Sequence, residues 1–114
     1  MLDKRRSGSA ALKMHASVFA ALGDETRLSV LARLSRGERQ SIARLTAGTK
    51  LTRQAVTKHL RVLEGAGVVR SVRVGRESLF ELEPRSIEDV RQYLDEVSRQ
   101  WDDALARLKS HLGE

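Results

Sequence analysis

Residues 51–69 read LTRQAVTKHLRVLEGAGVV, and two patterns run through them at once. Val56, Leu60 and Leu63 recur at four and then three residues, the spacing of a buried helical stripe. Between them stand Arg53, Gln54, Thr57, Lys58 and Arg61, which carry most of the groups in the segment able to bond a phosphate or a base edge. At about 100° per residue with Arg53 at 0°, the residues Gln54, Thr57, Lys58 and Arg61 fall near 100°, 40°, 140° and 80°, and Val56, Leu60 and Leu63 near 300°, 340° and 280°. The two arcs do not overlap. An ordinary solvated face would also satisfy this pattern, but such a face alternates sign for solubility and for pairing one turn apart. This arc holds no acid before Glu64. Gln bonds adenine bidentately, Arg bonds guanine, and Thr meets a thymine methyl or a phosphate, so the arc meets the requirements of major-groove reading.

Working outward, Thr52 stands as N-cap of this helix, and Gly48-Thr49-Lys50 reads as a tight turn after a short helix from about Ser41 to Thr46 with Ile42 and Leu45 inward. Two helices joined by so short a turn form a helix-turn-helix over 41–66. Gly67 ends it, and the β-rich stretches 68–74 and 78–82 flank Gly75-Arg76-Glu77, the pattern of a hairpin wing over 68–82. Arg70, Arg73 and Arg76 extend the positive surface along it, and an Arg at a hairpin tip can reach a minor groove. Upstream, residues 1–9 read as a flexible N-terminus with Ser9 as a candidate cap, and 10–22 as a helix with Leu12, Val18, Phe19 and Leu22 apolar. Gly23 stands where a left-handed residue belongs, and Asp24 caps a second helix with Leu28, Leu31 and Leu34 facing inward until Arg36-Gly37.

Beyond Pro84, Ser86 begins SIED, close to a capping box, and opens a final helix over 86–112. In it Ile87, Val90, Leu94, Val97, Trp101, Ala104 and Leu108 alternate three and four apart, a heptad seam sustained for three repeats. At about 1.5 Å per residue such a helix reaches roughly 40 Å, more than a domain of this size covers by itself. One reading packs it along its own domain. The favoured one makes it a subunit interface, with Val90, Leu94, Val97, Trp101 and Leu108 as dimer contacts and the 10–22 helix contributing.

The 114 residues suit one domain, and 40% hydrophobic with 32% charged residues is a globular balance. Aromatics are only 4%, so Leu, Val and Ala must fill the core. The net charge of +6 points to a negative partner, and its distribution places that partner. Residues 50–76 hold seven Lys and Arg against the single Glu64, whereas residues 77–114 hold five against ten acids. The final helix therefore stays away from a polyanion. With no cysteine, disulfides, thiolate catalysis and Cys-based metal sites are excluded. The longest apolar run, Val18 to Leu22, is far short of a membrane span, and no export signal precedes it, so the chain reads as cytoplasmic. No paired acids, nucleophile with a base, or Gly-rich phosphate loop supports an enzyme.

ALGDETRLSVLARL at 21–34, LTRQAVTKHLRVLEGAGVV at 51–69 and VRVGRESLFEL at 72–82 together resemble the ArsR/SmtB family of small dimeric bacterial transcriptional repressors, over about Val18 to Leu82. Glu25 replaces the family's frequent Pro. The resemblance implies a winged helix-turn-helix of about five helices, mainly α with a β-hairpin wing and a long C-terminal dimerisation helix. It implies DNA contacts from Thr52, Gln54, Thr57 and Lys58, to which the residue pattern adds Arg53, Arg61, Arg73 and Arg76. Where family members that sense arsenic, cadmium or lead carry Cys-x-Cys, this chain has SIARLT, and its last helix offers Asp95, Glu96, Asp102, Asp103 and only His111. It is similar to the branch without metal-ligand cysteines, so no metal and no cofactor is expected.

His59, at about 240° on the edge of the apolar stripe, reads as structural or phosphate-contacting. His15 and His111 lie at opposite ends of the chain and would meet only across a dimer of the first and last helices. Arg27, beside the Asp24 cap, is structural or phosphate-contacting. The expected function is a sequence-specific double-stranded DNA-binding regulator, a homodimeric repressor on an inverted-repeat operator. The alternative is a winged-helix protein-interaction module without specific DNA binding, against which the positive helix argues, because interface cores are depleted in Lys. An unidentified small-molecule effector stays open.

Overall fold

The computed structural model describes residues 4–113. Its elements follow in the order α1 Lys4–Leu22, α2 Glu25–Leu34, β1 Gln40–Ser41, α3 Ile42–Ala47, α4 Arg53–Gly65, β2 Val69–Val74, β3 Glu77–Leu82 and α5 Pro84–His111. The cap residues read from the sequence stand at the starts of α2 and α4. Asp24 accepts from the backbone N–H of Arg27 and Thr52 from that of Ala55, each satisfying one of the orphan donors of a helix start. Ser41 does the same for α3.

The helix ends differ from expectation in three places. α1 begins at Lys4, so residues 4–9 are helical and Ser9 lies inside the helix; residues 1–3 of the expected flexible segment fall outside the described residues. Extending an existing helix costs little per residue, and the Ala-rich turn that follows carries the penalty of about 1 kcal/mol for Gly8. α5 begins at Pro84, with Glu83 and not Ser86 as its cap; proline suits the first helical position because its missing N–H would have no partner there. Gly23 is not left-handed. Its N–H bonds the carbonyl of Ala20 at 3.3 Å, and the extended Asp24 makes the corner. Left-handed glycines stand instead at Gly67, which ends α4 with φ 78°, and at Gly75 in the wing turn with φ 63°.

The core gathers Leu45, Val56, Leu60, Leu63 and Val68, all at 0% exposure, with Val18 and Ala21 from α1, Val30 and Leu34 from α2 and Phe80 from β3 closing over them. Leu28, expected inward, is 51% exposed. Three-residue steps fall short of a turn, so Leu28 and Leu34 diverge by about 120° around the axis, and Val30, four before Leu34, takes the inner place. The sheet is antiparallel in the order β1-β3-β2, with Gln40 opposite Phe80, Val69 opposite Leu82 and Val74 opposite Glu77. β1 was not expected: two residues give no periodic signal, and only pairing with β3 makes them a strand.

The seam of α5 divides. Val90 packs against the chain's own core, and Tyr93 stacks on His15 of α1 with centroids 4.3 Å apart. Beyond, Leu94, Trp101 and Leu108 are exposed, Trp101 at 68%. The radius of gyration of 18.2 Å, against about 13 Å for a compact chain of this length, records how far the helix reaches from the core.

Candidate nucleic-acid interface

α4 is fixed by its buried side. Val56, Leu60 and Leu63 anchor it at 0% exposure, and the opposite arc, with Arg53, Gln54, Lys58 and Arg61, is exposed. Thr52 commits an oxygen lone pair to the Ala55 N–H at 3.1 Å, leaving its hydroxyl proton free for an acceptor. Thr57 donates its hydroxyl proton to the carbonyl of Arg53 at 2.8 Å, leaving a methyl group and a lone pair to face outward. His59 is turned away from this arc: its Nδ1 lies 3.9 Å from the Asp24 carboxylate, which joins α4 to the cap of α2. Asp24 is held below the usual carboxylate range, chiefly by the Arg27 N–H it accepts, with the positive charge of Arg27 adding to the effect.

The wing projects because only its base is anchored: Val69 and Phe80 are buried, and the strand ends beyond them are exposed. Its three arginines do not act alike. Arg70 bonds Glu81 at 2.9 Å and Glu83 at 3.3 Å, and Arg39 bonds the other Glu81 oxygen at 2.8 Å. The Arg39 hydrogen bond first, and then that of Arg70, holds Glu81 below the usual carboxylate range. Arg70 is thus neutralised by its neighbours and adds little to the positive surface expected of it. Arg73 and Arg76 are exposed, with no ion pair among the described residues. Arg76 of the wing turn and Arg53 of the first turn of α4 line one shallow recess together with Ser41, Ser78 and Glu77. The wing tip is therefore a neighbour of the start of α4, where Arg53 and Gln54 are exposed.

The open stretch of α5 holds Trp101, Leu105 and Leu108, and Leu112 follows just past its end, each more than half exposed. Leu105 and Leu112 were missed in the sequence because they stand beside the heptad positions; each follows a seam residue by four, Leu105 after Trp101 and Leu112 after Leu108, and that spacing is the signal that finds them. His111 is exposed in the last turn of α5, whereas His15 is engaged with Tyr93. Among the described residues no cluster of His, Asp or Glu could hold a metal ion, and no helix is long and apolar enough to cross a membrane.

A helix-turn-helix with an exposed polar-basic second helix, flanked by an arginine-tipped hairpin, defines a winged helix-turn-helix of the DNA-binding class. The helix-turn-helix domain family matches residues 22–72. A Bacillus subtilis protein, the uncharacterized HTH-type transcriptional regulator YuzN, is 42% identical over 76 residues, which cover 60% of this chain and 83% of that one. The solved structure of an ArsR-like transcriptional regulator from Rhodococcus sp. RHA1 is 38% identical, with a TM-score of 0.78 over 89% of this chain and 94% of its own. A homodimeric winged helix-turn-helix DNA-binding domain from Mycobacterium bovis, 24% identical, shares the fold with a TM-score of 0.65 over 93% of each chain. The chain belongs to the ArsR-like family of winged helix-turn-helix transcriptional regulators.

Proposed function

We propose that the protein is a cytoplasmic, homodimeric, sequence-specific repressor with no catalytic activity, which binds an inverted-repeat operator in double-stranded DNA. The observation that carries this is the division of α4: one side is sealed into the core by Val56, Leu60 and Leu63, and the other presents Arg53, Gln54, Lys58 and Arg61 to solvent. Thr52, Arg53, Gln54, Thr57, Lys58 and Arg61 serve the major groove and its phosphates, and Arg73 and Arg76 the adjoining backbone or minor groove. The dimer reading is supported by the exposed Leu94, Trp101 and Leu108 of α5, with the half-buried Val97 beside Leu94 and Trp101. Val90 contributes by holding that helix on its own domain. A twofold axis then places two copies of α4 in successive major grooves about 34 Å apart.

Mobility shift with the protein's own promoter region tests the proposal. We expect a retarded complex that forms in preference to random DNA at near-physiological salt. Equal affinity for both would overturn the specific claim.

A further inference from the structure

α2 is held at both ends by arginines that act on the helix before it and the helix after it. At its start, Arg27 donates from Nε to the carbonyl of Ala21 at 2.5 Å and from Nη2 to that of Ala20 at 3.4 Å, both in the last turn of α1. At its end, Arg33 donates from Nη1 to the carbonyl of Leu45 and from Nη2 to that of Arg44 at 3.0 Å, both among the last four residues of α3. The last carbonyls of a helix have no partner within it and carry partial negative charge. A planar guanidinium with several fixed donors suits two of them at once, which an ammonium group on a flexible stem does not.

Gly48 reports how closely the second strap fits. A Cβ at this position would lie 3.1 Å from Cζ, Nη1 and Nη2 of Arg33. With φ at −92°, the backbone there is open to any residue, so what a side chain at this position would disturb is the close fit of the Arg33 guanidinium, which would have to give by a few tenths of an ångström, and not the backbone conformation. Gln40 adds a third tie by donating from Nε2 to the carbonyl of Arg33 at 3.2 Å. α1 packs on α5 through His15 and Tyr93, and α3 leads directly into α4. The two straps therefore lie on one route, beside the direct packing of α1 on α4 in the core, that connects the helices proposed to pair two subunits with the helix proposed to read DNA.

We propose that Arg27 and Arg33 are positioning residues for operator recognition: they make α2 a strut of fixed attachment between α1 and the α3–α4 pair, and so set the separation of the two reading helices. The inference rests on the dimeric DNA-binding function proposed above. Neither residue needs to touch DNA. Their effect is on which half-site spacing the dimer accepts, because shifting one half-site by a base pair moves it by about 3.4 Å and rotates it about the duplex axis.

The test uses a palindrome selected by the wild-type protein from random DNA, remade with its half-sites one base pair closer and one base pair farther apart. Arg27→Lys and Arg33→Lys keep the charge and lose the two-donor fork. With melting temperatures within a few degrees of wild type, each variant should bind the selected spacing about tenfold more weakly, and the altered spacings with nearly unchanged affinity. A retained spacing preference would overturn the proposal, as would equal loss on all three DNAs. Gly48→Ala should lower the melting temperature in the wild-type background and be silent beside Arg33→Met; equal effects in both backgrounds also overturn the strap. This last comparison uses the free protein. A wild type that selects no palindrome would thus count against the DNA-binding function while the contact between Arg33 and Gly48 is judged separately.

Discussion

Thr57 gives its hydroxyl proton to its own helix, so its outward chemistry is a methyl group and one acceptor lone pair. Gln54 is exposed on the same arc and keeps its full amide, with both donors and the carbonyl, for a base edge. Replacing Gln54 by Ala should therefore cost about 1–3 kcal/mol of discrimination at one operator position, measured by titrating single-base variants, and leave random-DNA affinity almost unchanged. Arg76→Ala should do the reverse. It should weaken all sequences together and reduce the slope of log K against log salt by about 0.9 for each phosphate that the variant no longer neutralises. At Asp24 the question is acid stability. Its carboxyl is held below the ordinary range by the Arg27 N–H, so the folded state binds a proton less readily than the unfolded one. The stabilisation from that difference is complete above the unfolded carboxylate pKa and is lost as pH falls through the lowered folded value. Melting curves of Asp24→Asn should accordingly fall less steeply than wild type over the acid range.

Among the elements, α4 is the one the sequence discloses most fully, because its cap, its stripe and its polar arc are all local patterns. Its anchoring predicts that Leu60→Ala costs about 2–5 kcal/mol in chemical denaturation, since a side chain sealed on every side leaves a cavity. The wing was legible as a hairpin but one residue out of register. Reading Gly75-Arg76-Glu77 as the loop places Arg70 opposite Leu82, whereas the two-residue turn pairs Val74 with Glu77 and brings Arg70 against Glu81. That slip hides the ion pairs that neutralise Arg70, because a one-residue shift moves side chains to the other face. β1 and the Arg33 strap were not legible for a different reason: their partners are remote in sequence, and no local period marks them. The exposed face of α5 was legible except for its width, because a strict heptad template passes over Leu105 and over Leu112 just past the helix end.

At the scale of the whole molecule, the basic side proposed to read DNA and the acidic helix proposed to pair two subunits lie on separate elements, so that the two proposed functions would not compete for one surface. Trp101→Asp, which puts a charge in the middle of the exposed apolar face of α5, should convert a dimer into a monomer in sedimentation; an unchanged dimer would refute the seam. The same exposed stretch bears on the state before pairing. From Ser98 onward α5 has no buried or half-buried residue of its own chain to hold it, and an isolated helix of that length is marginal in water. In a diluted monomer the tail would fray, and the free energy of pairing must then include the ordering of those last turns. Pairing becomes a folding step, steeper in temperature than the docking of two rigid bodies. Brief exposure to protease should clip the tail of the dilute protein and spare it when concentrated.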